Sequence, residues 1–285
     1  MRILLLIAAL MLSGTGFAQT PPETHPITIG VNHGIASEPL GETRAINVVL
    51  PARYDQEPTK HYPVLYLIDG GVEQDLLHVS GAAHLGALWG RSAEAIVVGV
   101  ETKDRRKELV GPTSDPELLK RYPTAGASAQ FRAFLRDEVI PLIERSYRTN
   151  GRNAVLGESL AGLFIVETYL KEPALFDAYA AIDPSLWWDN EALSKNAAAL
   201  AGDQRRWPPL YMAMAKEQAE EPSAMNRLLG ILRPDVRNLC LVARPDLLHS
   251  TIYQQLTPQA LQFILPPAEA PPPEFGFEVQ CSPKS

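Results

Sequence analysis

Gly157-Glu158-Ser159-Leu160-Ala161-Gly162 follows the apolar run Ala154-Val155-Leu156 and opens a second apolar stretch, Leu163 to Leu170. A buried strand that turns sharply through a serine into a helix is the sequence form of a nucleophile elbow, in which the strained apex lifts the hydroxyl clear of the sheet. Small residues must flank the apex, and Gly157 and Ala161 supply them, with Gly162 close behind. Such a string alone is equally consistent with a plain turn serine. The rest of the chain has to decide.

The 285 residues, 46% hydrophobic and 21% charged, fit one α/β domain with a single large core. Arg2, the apolar stretch Ile3 to Leu12 and the small residues of Gly16-Phe17-Ala18 read as a secretory leader over residues 1–18, cut after Ala18. Its apolar run is shorter than the roughly 20 residues a bilayer span needs, so an exported, secreted or periplasmic protein without stable membrane insertion is expected. A formal charge of −7 and the lack of a Lys/Arg stripe argue against nucleic acid as a partner. Cys240 and Cys281 make an even count in an exported chain, and a disulfide between them is favoured over two buried thiols.

Along the chain, Ile27 to Val31 and Thr43 to Leu50 alternate apolar with polar residues and read as an antiparallel edge. Val64 to Ile68 is continuously apolar, as in a strand buried on both faces, and ends in Asp69-Gly70-Gly71. A helix over Glu73 to Trp89 and a strand over Ala95 to Val100 follow, then a long polar loop from Glu101 to Pro123. The spacing of Phe131, Phe134, Leu135, Val139, Leu142 and Ile143 predicts a helix over Gln130 to Tyr147 that Pro141 should kink. Beyond the elbow, strands at 179–182, 210–215 and 239–243 alternate with helices at 190–201, 224–232 and 257–265. The alternation predicts a mainly parallel sheet with helices on both faces over residues 19–265, followed by a proline-rich tail over residues 266–285.

A serine hydroxyl needs a neighbouring base, most often histidine. Of His25, His33, His61, His78, His84 and His249, only His249 lies beyond Ser159, and chains with such an elbow carry the order serine, acid, histidine. The acid should follow the strand at 210–215, where Glu217 lies nearest the strand end. Glu220 and Asp246 compete, and a Ser-His pair without an acid is the other possibility. Donors to an oxyanion are expected from the Leu160 amide and from Gly70-Gly71.

Several stretches together resemble the putative-esterase branch of the α/β-hydrolases, which includes esterase-D-like proteins and siderophore-ester hydrolases. They are Tyr62 to Gly70, Asp104 to Leu109 with Pro112, Phe131 to Thr149, Gly157 to Phe164, Phe176 to Tyr179, Asp183 to Asp189 and His249-Ser250-Thr251. The resemblance spans about Ile27 to Leu265 and implies an α/β-hydrolase fold and serine-dependent hydrolysis of a small-molecule ester with no cofactor. Glu158 stands where the family commonly has His, and Ala161 where it commonly has Gly. Acyl transfer on the same fold, or a periplasmic binding protein that lost activity, are the alternatives. Trp187, Trp188, Arg105 and Arg106 are the candidate contacts for a bulky aromatic or anionic ester.

Overall fold

The computed structural model describes residues 23–202, 207–233 and 238–281. The expected leader at 1–18 lies outside the described residues. Among the described residues, eight strands form one sheet in the order β1-β2-β4-β3-β5-β6-β7-β8. They are β1 (Val31–Ser37), β2 (Glu42–Val49), β3 (Tyr62–Ile68), β4 (Ile96–Val100), β5 (Thr149–Glu158), β6 (Ala178–Ile182), β7 (Leu210–Met214) and β8 (Leu239–Ala243). Strands β3 to β8 run parallel, and β1 and β2 close one edge antiparallel. The first strand starts four residues later than the alternation predicts, because it pairs with β2 through a tight turn at Gly41, whose φ of 68° favours glycine.

Alternate residues of the central strands feed two cores. Val64, Tyr66 and Ile68 of β3 join one, and Leu65 and Leu67 join the other. This two-sided burial is why β3 reads as an unbroken apolar run. The helices are α1 (Leu76–Leu88), α2 (Arg105–Glu108), α3 (Pro116–Arg121), α4 (Ser128–Phe134), α5 (Ile140–Ser146), α6 (Leu160–Lys171), α7 (Trp188–Lys195), α8 (Ala197–Ala201), α9 (Lys216–Glu220), α10 (Ser223–Leu232) and α11 (His249–Ile264). Helices α1 and α11 cover one face, and α4, α6 and α10 cover the other.

Three local departures from the sequence reading have physical causes. The stretch from Glu101 to Pro123 contains α2 and α3, each started by an aspartate, Asp104 or Asp115, whose side chain accepts two backbone N–H bonds. A buried ion pair between Arg44 of β2 and Glu108, with bonds of 2.7 and 2.8 Å, pins that stretch to the sheet. Pro141 is accommodated by a wider π-helical turn over Leu135–Val139 between α4 and α5. The last helix begins at His249, eight residues before the expected start, and runs through Pro258 with the Thr257 hydroxyl donating to the Tyr253 carbonyl at 2.7 Å.

The tail folds back along α11. Gln262 and Gln259 donate to the carbonyls of Phe277 and Gln280, Arg91 lies over the Phe277 ring, and Cys281 is disulfide-bonded to Cys240 of β8.

Candidate active site

β3 and β5 are neighbours in the sheet although the chain leaves them in opposite directions, and open parallel sheets bind ligands at the carboxyl ends of strands around such a switch point. Ser159 stands at the end of β5 with φ 60° and ψ −119°, a conformation held by its N–H bond to the Ile182 carbonyl at 3.0 Å. The space around this turn explains its small residues. A Cβ on Gly157 would come within 2.7 Å of the Ala161 Cβ, and one on Gly162 within 3.1 Å of the Pro184 Cα. Gly162 therefore lets the Asp183-Pro184-Ser185 segment close against the elbow helix.

His249, the first residue of α11, places Nε2 3.2 Å from Ser159 Oγ. Its Nδ1 lies 2.6 Å from Asp183 Oδ2. A carboxylate accepts only, so Nδ1 carries the proton and Nε2 is left to accept the hydroxyl hydrogen of Ser159. Asp183 follows β6, is 4% exposed, and its other oxygen accepts from the Ala215 amide at 2.8 Å and the Gln218 side chain at 2.7 Å. The hydrogen bond to Asp183 holds the His249 pKa above the ordinary imidazole value, against the opposing effect of burial.

This arrangement corrects the expected acid. Glu217 sits exposed in the first turn of α9, and its charge adds less to the rise of His249 than Asp183 or Glu158 does. Glu220 is exposed on the same helix, and Asp246 pairs with Arg244 at 2.6 Å. The loop after β7 instead serves to hold Asp183, which comes from the strand between those bearing the elbow and the loop. The signal available in the sequence was the strand-end placement of Asp183 before Pro184, the same position relative to β6 that Ser159 has relative to β5. Its φ of 43° marks a comparably constrained strand end.

The expected oxyanion donors differ in availability. Leu160 opens α6, where a helix leaves its first amides without intrahelical partners. Gly70 is already engaged, because its N–H donates to the Val100 carbonyl and its carbonyl accepts from Asn47. A Cβ there would overlap Gly99, so this glycine serves close strand packing. The Gly71 amide donates to the Gln74 side chain at 2.9 Å.

Among the expected substrate contacts, Arg105 is held by Asp69 at 2.7 Å, and Asp69 is also bonded to Thr102. Arg106 lies exposed over the Tyr122 ring. Trp187 is 60% exposed, whereas Trp188 is 5% exposed with its ring 5.7 Å from that of Tyr122. Burial pushes the carboxyl of Glu158 up to about 7, and burial with the charge of Asp69 pushes that of Asp75 up to about 6. A cavity of about 210 Å³ flanks α6 between Leu109, Leu163, Trp188 and Leu193, one turn beyond the elbow. Among the described residues no cluster of three or more His, Cys, Asp or Glu could hold a metal ion, and no helix is long and apolar enough to cross a membrane.

Known proteins match this picture. The ferri-bacillibactin esterase BesA of Bacillus subtilis is 25% identical over 255 residues, covering 79% of this chain and 86% of that protein. The siderophore triacetylfusarinine C esterase of Aspergillus fumigatus is 23% identical over 212 residues, covering 66% of this chain and 68% of that one. In structure, the chain is similar to an IroE-like serine hydrolase from Shewanella oneidensis, with a TM-score of 0.70 at 24% identity over 82% of this chain and 79% of that one. It is also similar to the siderophore hydrolase EstB from Aspergillus nidulans, with a TM-score of 0.72 at 19% identity over 88% and 98%. The sequence profile described as Putative esterase matches residues 37–224, well over half of the chain. By that match the protein belongs to the Putative esterase family of the α/β-hydrolase superfamily and is a carboxylic-ester hydrolase.

Proposed function

We propose that this chain is an exported hydrolase of siderophore-type esters that works through an acyl-enzyme on Ser159. The observation that carries the reading is the continuous line from Asp183 through His249 to Ser159, with contacts of 2.6 and 3.2 Å. Ser159 Oγ attacks the ester carbon as its proton passes to His249 Nε2, and the carbonyl electron pair moves to oxygen. The imidazolium then protonates the departing alcohol. Water attacks the acyl-enzyme by the same route and returns Ser159 with the free acid. Asp183 keeps Nδ1 protonated and stabilises the imidazolium. The Leu160 amide supplies one oxyanion donor, and Gly71 supplies the second by exchanging Gln74 for the substrate oxygen.

The substrate class rests on the esterases named above, which act on siderophores by name, and on the exposed Trp187 as an aromatic contact. With Arg105 tied to Asp69, Arg106 is the freer guanidinium for an anionic or catechol-bearing ester. Export rests on the leader sequence at 1–18. The test is labelling of Ser159 by a fluorophosphonate, together with kcat/KM for siderophore esters and matched long-chain acyl esters. Labelling at Ser159, its loss in Ser159→Ala and a higher constant for the siderophore esters are expected. An unlabelled wild type, or activity in Ser159→Ala above about a thousandth of wild type, would overturn the mechanism. Preference for long-chain esters would overturn the substrate class.

A further inference from the structure

A second hydroxyl touches the elbow oxygen. Ser185 Oγ lies 3.2 Å from Ser159 Oγ, as close as His249 Nε2 does, and Ser185 is 2% exposed. Its position is set by the backbone: the Ser185 N–H donates to the Ser159 carbonyl at 3.0 Å, and the Ser185 carbonyl accepts from the Trp188 amide at 3.0 Å. The close approach of Pro184 to Gly162 fixes the same segment against α6.

Counting protons decides the direction of this contact. His249 Nδ1–H is committed to Asp183, so Nε2 is an acceptor and takes the single hydroxyl hydrogen of Ser159. The hydrogen between the two serine oxygens must then belong to Ser185. We infer that Ser185 is a second catalytic hydroxyl, which keeps its own proton and donates a hydrogen bond to Ser159 Oγ whenever negative charge builds on that oxygen.

The inference rests on Ser159 being the nucleophile, and it adds a role to each half-reaction. In acylation, Ser159 Oγ loses its proton to His249 while its bond to the acyl carbon is still forming. In deacylation, the bond from the acyl carbon to Ser159 Oγ breaks, and the electron pair stays on that oxygen until the imidazolium returns the proton. Ser185 stabilises the same oxygen in both steps and is itself neither oxidised, reduced nor deprotonated. A hydrogen bond to an oxygen that is more charged in the transition state than in the ground state lowers the barrier, whereas one of constant strength would not.

Ser185→Ala tests this, with the isosteric pair Ser185→Thr and Ser185→Val as a second comparison that differs only in the hydroxyl. Losing a hydrogen bond to a charged oxygen should lower kcat and the second-order rate of fluorophosphonate reaction together by roughly ten- to a hundredfold. KM and the thermal unfolding midpoint stay near wild type, and the threonine variant exceeds the valine variant by about tenfold in kcat. Wild-type kcat and labelling rate in Ser185→Ala, a loss carried by KM alone, or equal rates for threonine and valine would overturn the role of Ser185. Those outcomes leave the acyl-enzyme reading standing as long as wild-type Ser159 is labelled. A wild type unlabelled at Ser159 removes both.

Discussion

Two carboxylates stand just beyond the ends of adjacent parallel strands, and their surroundings give them different work. Asp183, after β6, is buried, receives two hydrogen bonds on one oxygen and offers the other to His249. Glu217, after β7, lies on the exposed surface of a one-turn helix and acts on the imidazole through its charge alone. A carboxylate orients a histidine when its own geometry is already fixed by donors, and rank after a strand does not provide that. The loop after β7 contributes through Ala215 and Gln218, which position an acid belonging to the next strand.

Substitutions can break or sharpen this contrast. Asp183→Asn should have the largest effect, lowering kcat/KM by at least about a hundredfold with the fold intact, because an amide can present its N–H to Nδ1 and trap the wrong tautomer. Gln218→Ala removes one of the two donors to Asp183 Oδ1 and should cost about three- to tenfold in kcat/KM. Glu158→Gln should move the acid limb of the kcat/KM profile to lower pH. The sign follows from charge: Glu158, itself pushed up to about 7, raises the His249 pKa by the fraction that is ionised, so an uncharged side chain lets the imidazole stay neutral, and therefore basic, further into acid. An unchanged or upward-shifted limb would show that Glu158 does not act on His249. Glu217→Gln should leave kcat/KM within about twofold, as expected for an exposed charge. Cys281→Ser should leave kcat unchanged yet lower stability by up to about 4 kcal/mol, the chain-entropy value for the 41-residue separation it closes. Denaturant unfolding would read that loss.

What the sequence made legible follows from how local each determinant is. The elbow is written in six consecutive residues, and continuous apolar runs betray the central strands, so Ser159 and the sheet could be read directly. His249 could be found because it is the sole histidine after the elbow, though its placement at the head of a helix could not, since Pro258 obscures a helix that runs through it. Asp183 lies within a legible motif but its role does not show there, because facing His249 depends on a contact 66 residues away in the chain. Gly70 is illegible for the same reason: its amide is taken by Val100 on a neighbouring strand, a pairing that register alone reveals.

The most direct test of the account is an NMR titration of His249 in wild type, Asp183→Asn and Glu217→Gln. The account predicts an imidazole pKa above the ordinary value of about 6.5 in wild type, essentially the same in Glu217→Gln, and clearly lower in Asp183→Asn. A drop in Glu217→Gln with no change in Asp183→Asn would contradict it and return the orienting role to the loop after β7.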